Sequence, residues 1–440
     1  MAINAISQRY CAKNPPIDGF CHPDFHTVET ALRKPLPKYT GGAAVCVYHR
    51  GECVADLWGG YRDENGNPWR EDTMAPSFST TKGVSSTLLH IFADRGLIDY
   101  DEKVSAYWPE FAQAGKEAIT VRQVLCHQSG LYHIRQMIDR APRMLDWEHM
   151  IEAIEKATPA HQPGARTGYH GLTYGFVVGE LVQRVSGKKF SDLVQSEIAE
   201  PLGLDGLYIG TPEKELHRAA QLIAPGTLRR LPRQVLERYV ELSIYSVSGV
   251  LRALGIDSHL SSFHDALGPR GMRQFDFGSA EALRAAIPAG NGLFTARSLA
   301  RVFAMLAGGG KLDNVRLLSA DAVKQASTVQ TAPGKYAVIP FDMRWRLGYH
   351  GVYTTRGFQR EAFGHFGFGG SGAWADPSQD LAVALIANSG TGSPFGDSLT
   401  ARIGSAALAS AKGRKVASAK SSRKGRKAVG SNKRKQPKFA

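Results

Sequence analysis

The sequence contains no apolar run that approaches the ~20 residues of a membrane-spanning helix, although the chain has 440 residues. Its first residues, MAINAISQRYCAKNPP, lack the apolar core and cleavage site of a secretory signal, and we expect none. Cysteine is scarce, with five residues whose spacing matches neither a disulfide framework nor a metal motif. These absences predict a soluble cytoplasmic protein with reduced, mostly buried thiols and no bound metal or other cofactor.

Acidic residues are absent from residues 412–440, which contain 12 Lys and Arg. The rest of the chain has 42 basic and 40 acidic residues, so the net charge of +14 belongs almost wholly to this tail. Its large apolar residues are too few to offset the entropy of ordering, and we predict a disordered basic tail. Three roles stay open: a solvated appendage, non-specific binding to nucleic acid or another polyanion, and a membrane-surface or targeting function.

Strand signals lie near both ends of the chain. Residues 41–58 read as a β-hairpin with a turn at Arg50-Gly51, and residues 372–388 repeat the pattern. Helical periodicity occupies the middle, in residues 78–96, 147–157, 172–187, 190–200 and 296–308. This order predicts an α+β fold, in which an antiparallel sheet built from both chain ends is flanked by helices and joined to an all-α domain.

We accordingly divide the chain into one folded unit, residues 1–411, and the tail. Within the folded unit the sheet subdomain takes about residues 25–76 and 296–408, and the helical subdomain about residues 77–295. The active site is expected in the cleft between these subdomains, where the helix over residues 78–96 begins.

The segment Ser79-Thr80-Thr81-Lys82 places a hydroxyl and an amine on one face of the start of a helix. Serine is a weak nucleophile until a neighbouring base takes its proton, and a desolvated lysine can do so. The first turn of a helix also has free backbone N–H groups, which favour developing negative charge. Because Ser-x-x-Lys also arises by chance, a capped and solvated helix start is the alternative.

Several further blocks follow in a fixed order: VADLWGGYRD, SFSTTKG, YWPEF with VRQVLCHQSGL, PGARTGYHGLTYGFVVGELVQRVSG, PAGNGLFTARSLARVFAML and FGHFGFGGSGAWADPSQDLAVALIAN. Over roughly residues 40–405 they resemble the class C β-lactamase-like group of penicillin-recognising serine hydrolases. Within that group the sequence is most similar to the carboxylesterases of the family VIII type. The resemblance implies the β-lactamase/transpeptidase-like fold and the Ser79–Lys82 pair as its catalytic centre.

The resemblance also implies a third catalytic residue, Tyr169, at the position of a Tyr-x-Asn motif. A phenol can act as the general base here if nearby cations such as Lys82 lower its pKa from ~10. Tyr174 is the rival, but it falls inside the following helix. The third motif residue is Gly171 instead of Asn, and this departure disfavours β-lactam turnover because the Asn helps to hold the lactam amide.

The family's Lys-Thr-Gly strand corresponds to His365-Phe366-Gly367. The resemblance implies that the N–H of Phe368, just after Gly367, joins the N–H of Ser79 in an oxyanion hole. A histidine at position 365 weakens the positive charge that binds the carboxylate of penicillins, which favours neutral esters. A surface strand residue is the alternative for His365.

Four other features are weighed as sites. Ser371, in GGSGA, lacks the strand-to-helix turn of a nucleophile elbow and is rejected. His127 is interpreted as a hydrogen-bonded structural residue. The run from Cys21 to His26 has four potential ligands, but no second cluster supports a metal there. Asn291 lines the pocket or begins a turn.

The sequence therefore predicts a carboxylesterase that cleaves small-molecule esters through an acyl-enzyme on Ser79, with Lys82 and Tyr169 as the base. The first alternative is a β-lactamase or D-amino-acid peptidase or amidase with the same site. The second is a catalytically weak scaffold whose tail binds polyanions.

Overall fold

The computed structural model describes residues 16–36, 41–223, 260–272, 274–389 and 398–414. The predicted basic tail lies outside these ranges except for residues 412–414. Lys412 and Gly413 close the last helix, and Arg414 forms an ion pair of 2.8 Å with Glu52. The predicted disorder and polyanion binding of residues 415–440 thus fall outside the described residues.

The strands are β1 Ile17–Cys21, β2 Gly42–His49, β3 Glu52–Gly60, β4 Ala75–Pro76, β5 Leu207–Tyr208, β6 Leu293–Phe294, β7 Lys311–Leu312, β8 Val315–Arg316, β9 His350–Thr354, β10 Gly357–Phe366, β11 Gly372–Asp376 and β12 Leu381–Ala387.

The α-helices are α1 His26–Arg33, α2 Thr81–Asp94, α3 Val104–Tyr107, α4 Val121–Leu125, α5 Ile134–Met137, α6 Trp147–Lys156, α7 Thr173–Ser186, α8 Phe190–Val194, α9 Leu260–Leu267, α10 Ala280–Arg284, α11 Ala296–Ala307, α12 Ala320–Ser327 and α13 Ser398–Gly413. Short 3₁₀ turns cover Pro23–Phe25, Phe78–Thr80, Pro109–Phe111, Ala141–Leu145 and Glu213–Arg218, and a π turn covers Gln195–Ala199.

The largest sheet within the described ranges is antiparallel and has the order β1-β3-β2-β12-β11-β10-β9. Strands from the two chain ends meet where β2 pairs with β12, with Val47 opposite Val383. Both strands are buried along their whole length, since helices cover both faces of the sheet. The α+β fold predicted from the two strand-rich ends is confirmed.

Two hydrophobic layers hold the helices to this sheet. Helices α1 and α13 pack against each other on one face, where Phe25 and Ile403 meet sheet residues such as Val45. Helix α11 packs on the other face against β2, β11 and β12. That second layer continues into α2 and α7, so the helical part of the chain shares one core with the sheet.

A small second sheet orients the start of α2. Strand β6 pairs with β4 on one side and with β5 on the other. Because β4 ends at Pro76, this pairing fixes the chain two residues before the 3₁₀ turn that contains Ser79. No helix among the described residues is long and apolar enough to cross a membrane.

Candidate active site

The Ser79 hydroxyl lies on a tight turn between β4 and α2. Phe78 has a φ of 46°, in the left-handed region that non-glycine residues seldom adopt. The 3₁₀ turn Phe78–Thr80 then leads directly into α2 at Thr81. Such backbone strain persists only where the surroundings enforce it, and it is concentrated at functional sites.

Hydrogen bonds from two directions hold this turn. The Thr81 hydroxyl donates to the Phe78 carbonyl at 2.5 Å and accepts from the Gly292 N–H at 2.9 Å. The Ser77 N–H donates to the Gly292 carbonyl at 2.8 Å. The segment that enters β6 thus clamps the residues on both sides of Ser79.

The Lys82 side chain is fully buried and aimed at Ser79. Its Nζ donates to the carbonyl oxygens of Gly171 at 2.6 Å and Ala289 at 2.9 Å, and lies 3.2 Å from Ser79 Oγ. Burial lowers the pKa of Lys82 well below its usual range, because removal from water disfavours the charged form. A neutral amine has two protons and a lone pair. With both protons on the carbonyls, the lone pair faces the serine hydroxyl.

Tyr169 contacts Ser79 Oγ from a different side than Lys82 does. Its hydroxyl lies 2.7 Å from that oxygen. Its ring is stacked on Trp345, with centroids 5.7 Å apart and planes 10° apart. Lys82 Nζ lies 5.0 Å from the centre of the Tyr169 ring. The structure thus brings Ser79, Lys82 and Tyr169 to one point.

The pKa of Tyr169 shifts in the direction opposite to that required of a phenolate base. Burial raises its pKa, and the hydrogen bond with Ser79 opposes this only in part. A cationic Lys82 would lower the pKa of the phenol, but Lys82 is itself desolvated toward the neutral form. In the resting site Tyr169 consequently keeps its proton, and the neutral amine of Lys82 is the group of the pair that is free to accept one.

Gly171, the departure from the Tyr-x-Asn motif, is required by close packing. A Cβ at this position would lie 2.3 Å from Leu267 Cδ2 and 2.7 Å from the Ala266 carbonyl. Both contacts come from α9, in a region outside the sequence resemblance. Helix α9 therefore fills the space that the motif's asparagine side chain would need.

Four buried histidines lie near Tyr169. His127 and His365 face its ring, while His170 contacts His127 and His350 contacts His365. Burial lowers the pKa of all four, to about 3 for His170 and about 4 for His350. They are thus neutral at pH 7, and the walls beside Lys82 gain no positive charge from them.

Hydrogen bonds assign the tautomers of His127 and His170. The Leu131 N–H donates to His170 Nε2 at 3.0 Å, so the proton of that ring lies on Nδ1. His170 Nδ1 lies 3.3 Å from His127 Nδ1, which also accepts from the His170 N–H at 3.1 Å. The His127 ring is 5.0 Å from that of Tyr169 and so connects this pair to the catalytic tyrosine candidate.

His365 is buried in the structure, unlike a surface strand residue. Its Nδ1 contacts the Phe366 carbonyl at 3.1 Å, which makes Nε2 the acceptor, and Nε2 has no partner among the described residues. The ring lies 6.3 Å from that of Tyr169 and 4.7 Å from that of His350. His365, near the end of β10, thus places a neutral imidazole ring beside the site.

Gly367 brings the end of β10 against the nucleophile turn. A Cβ there would lie 2.2 Å from the Ser77 carbonyl, so only glycine allows this approach. The approach brings Phe368 beside Phe78, with ring centroids 6.0 Å apart. Phe368 and the turn of Ser79 therefore lie side by side.

An aromatic rim stands next to the serine and consists of Phe78, Phe275, Phe277 and Phe368. Phe277 lies 5.4 Å from Phe78 and 4.9 Å from Phe275, in edge-to-face contacts. Phe368 is 45% exposed, so this apolar surface is open to a ligand. Phe275 and Phe277 are partly buried against the main core, so the rim extends from that core to the exposed Phe368.

The other candidates have structural partners. Ser371 Oγ accepts from the Ala387 N–H at 3.1 Å inside the large sheet. Tyr174 is buried in α7 and bonded to Ser86 at 2.7 Å. The Asn291 side chain forms hydrogen bonds with three backbone groups of residues 282–287 and so stabilises a turn. The potential ligands of Cys21–His26 do not converge in the described structure.

Several lining groups had no signal in the sequence. Trp345 and His350 come from a stretch without a recognised motif, and packing alone brings Trp345 onto Tyr169 and His350 onto Trp345. The Ala289 carbonyl is a backbone group, although its block, PAGNG, was one of the matching segments. Phe277 lies in the region that periodicity described least well.

Comparison with known proteins identifies the family of the chain. A family model described as "Beta-lactamase" matches residues 32–408. "Esterase/beta-lactamase LipL" from Mycobacterium tuberculosis is 36% identical over 375 residues, 84% of this chain and 82% of that protein.

Solved structures show the same family resemblance. A family VIII carboxylesterase superposes with a TM-score of 0.77 at 31% identity, covering 90% of this chain and 100% of the other. A penicillin-binding protein homologue from Caulobacter crescentus has a TM-score of 0.76 at 32% identity, with the same coverage. Fold and site thus define a serine hydrolase of the β-lactamase fold. The chain belongs to the β-lactamase family.

Substitution of Gly171 tests the close packing under α9. In Gly171→Ala the new methyl group displaces Leu267 or the Gly171 carbonyl that holds Lys82. We expect kcat/KM for an activated ester to fall ~100-fold, since displacement of a catalytic group by about 1 Å has effects of this size. The control is Gly413→Ala, where a Cβ meets nothing within 4 Å. Equal activity of the two variants would contradict this packing.

Proposed function

We propose that the protein is a carboxylesterase that hydrolyses small neutral esters through an acyl-enzyme on Ser79. The convergence of Lys82 Nζ and the Tyr169 hydroxyl on Ser79 Oγ, at 3.2 Å and 2.7 Å, carries the proposal. A serine hydroxyl with a base on one side and a proton donor on the other suits acyl transfer.

In the first step, neutral Lys82 takes the Ser79 proton while Oγ attacks the ester carbonyl. The backbone N–H groups of Ser79 and Phe368 receive the oxyanion, as the contact of Gly367 with the nucleophile turn supports. Tyr169, still protonated because burial raises its pKa, gives its proton to the departing alkoxide. The Lys82 ammonium then restores the proton of Tyr169, so each proton is accounted for.

Deacylation uses the same groups in reverse. Tyr169 passes its proton to Lys82 and takes the proton of the water that attacks the acyl-enzyme, and the Lys82 ammonium then protonates Ser79 Oγ as it leaves. The acid product departs, and the resting protonation states return. Apart from the ester and water, each group used in these steps belongs to this chain.

Two observations favour esters over β-lactams. Neutral His365 stands where the family has a lysine, so the site lacks that fixed charge for a carboxylate. Helix α9 occupies the space beside Gly171 where an amide-binding side chain would project. LipL is named as both an esterase and a β-lactamase, which keeps lactam turnover as the second candidate.

The aromatic rim supports an apolar acyl group on the substrate. Phe78 directly precedes the nucleophile, and Phe277 and Phe368 extend its surface outward. Each methylene that leaves water against such a surface contributes ~0.8 kcal/mol. The proposed substrate class is therefore neutral esters with a short aliphatic or aromatic acyl chain.

The cytoplasmic location also remains a proposal. Support comes from Cys21, Cys46, Cys53 and Cys126, which are free thiols, as a reducing compartment would leave them.

The first experiment measures p-nitrophenol release from p-nitrophenyl butyrate by wild type, Ser79→Ala and Ser371→Ala. We expect Ser79→Ala to lose at least ~10⁴-fold in kcat/KM, as nucleophile removal does, and Ser371→Ala to keep most of the activity. Retained activity in Ser79→Ala would show that Ser79 is not the nucleophile. A chromogenic cephalosporin run in parallel decides the substrate class, because faster Ser79-dependent cephalosporin turnover would favour the lactamase alternative.

The pH profile tests Lys82 as the base. Because its pKa is lowered, the neutral, active form predominates at lower pH than for an ordinary lysine. We expect kcat/KM to rise with pH and reach its plateau below the ordinary lysine range of ~10.4.

Lys82→Arg keeps the charge at every pH and should lose ~10²–10⁴-fold. The exposed Lys156 provides the matched control, Lys156→Arg. A rising limb near pH 10 in wild type, or an active Lys82→Arg variant, would count against this role.

The aromatic rim is tested with p-nitrophenyl acetate, propionate, butyrate and hexanoate. In wild type we expect kcat/KM to increase up to ~4-fold per methylene while the chain contacts the rim. Phe277→Ala should flatten this increase and leave acetate hydrolysis within a few-fold. Leu97→Ala, an exposed apolar residue just beyond α2, serves as control. An unchanged slope in Phe277→Ala would mean that the acyl chain binds elsewhere.

A further inference from the structure

The β2–β3 hairpin brings two thiols and a carboxylate together on one face of the large sheet. Cys46 pairs with Asp56 and Tyr48 with Cys53, and the register shifts between these pairs. One extra residue, Val54, therefore stands in β3 as a β-bulge. Without it, residues 53 and 56 would point to opposite faces of the sheet.

The packing of the neighbours confirms these orientations. Val54 and its neighbour Ala55 both belong to the layer under α1 and α13. Cys46 and Cys53 belong instead to the layer under α11. Asp56 also faces α11, where it forms an ion pair with Arg297.

The spacing of these groups fits a tetrahedral cation. Cys46 Sγ and Cys53 Sγ are 3.9 Å apart, and the three potential ligand atoms all lie within 4.8 Å of one another. Zinc–thiolate bonds of ~2.3 Å in tetrahedral geometry separate two sulfurs by ~3.8 Å. The thiols already stand near that separation, so little rearrangement is required to bind such an ion.

The same arrangement disfavours a disulfide. Cys46 and Cys53 are diagonal neighbours on the two strands, not directly opposite ones. Diagonal Cα atoms in an antiparallel pair are ~7–8 Å apart, whereas a disulfide usually spans no more than ~6.8 Å. Both residues are free thiols in the structure.

The charges of the site are partly offset by its surroundings. A divalent cation would balance two thiolates, and the Arg297 guanidinium pairs with Asp56 as well as with Glu71. Arg297 Nε donates to Asp56 Oδ2, so Oδ1 is the oxygen that would meet the cation. Cys46 is buried while Cys53 and Asp56 are partly exposed, which gives the ion a route from solvent and allows a water as fourth ligand.

We propose that Cys46, Cys53 and Asp56 form a binding site for one thiophilic divalent cation of the zinc class. The site is on the sheet, is built from residues that the Ser79 chemistry does not use, and is independent of the proposed esterase function. Soft thiolate ligands select zinc-like ions over magnesium or calcium.

Cobalt(II) is the probe, because tetrahedral thiolate coordination gives it intense visible absorption and a thiolate charge-transfer band. The full-length protein, without a histidine tag, is reduced, treated with chelator and titrated with Co²⁺. We expect one equivalent to bind with a tetrahedral spectrum, and Zn²⁺ to displace it. Absence of that spectrum, or a Cys46–Cys53 disulfide in protein prepared under reducing conditions, would overturn the proposal.

Variants assign the ligands. Cys53→Ala should weaken Co²⁺ binding at least ~100-fold, and Asp56→Asn ~10-fold or more, since loss of a ligand exceeds the effect of losing an outer-sphere partner. Cys21→Ala, another partly buried free thiol, is the matched control and should keep the wild-type spectrum. Unfolding temperature and circular dichroism verify that each variant is folded. Binding that survives Cys53→Ala would disprove the site.

Discussion

The Lys82 amine, buried and held by two carbonyl oxygens, is the constraint around which the site is arranged. Its hydrogen bonds reach Gly171 at the start of the α7 region and Ala289 before β6, so they tie three separated segments to one atom. Carbonyl partners satisfy the two protons of the neutral amine without adding a negative charge that would favour the ammonium. A carboxylate in either place would raise the pKa and abolish the base.

The rest of the fold brings those segments within reach of Lys82. The β2–β12 pairing joins the strands from the two chain ends into one sheet. Helix α11 connects that sheet to the core that contains α2. The end of β10 then approaches the nucleophile turn through Gly367. The strained φ of Phe78 is maintained because hydrogen bonds with Gly292, just before β6, hold the turn on both sides.

Much of this arrangement was predictable because it rests on local patterns. Alternating residues and the turn at Arg50-Gly51, both with positive φ, define the first hairpin, and the helix over residues 78–96 follows from its apolar spacing. Ser79 and Lys82 are one helical turn apart, so their proximity follows from helix geometry. Tyr169 follows from the motif resemblance; its hydroxyl contacts Ser79 Oγ in the structure, and its catalytic role stays a prediction.

What could not be predicted depends on packing between distant segments. The rise in the Tyr169 pKa comes from burial under Trp345 and the histidines, none of which are near it in sequence except His170. The contact of α9 with Gly171 involves a region without a recognised motif. The bulge at Val54 is a one-residue irregularity. Strand periodicity alone would place Cys53 and Asp56 on opposite faces of the sheet.

The neutral histidines around Tyr169 also determine how the whole protein tolerates acid. His170 and His350 have folded pKa values of about 3 and about 4, below the ~6.5 of an unfolded histidine. The unfolded chain therefore binds more protons than the native one in this range. Their contribution to stability is complete above pH ~6.5 and is lost as the pH falls toward 3–4. The packing that keeps the catalytic pocket uncharged thus contributes less to the stability of the fold as the pH falls below ~6.5.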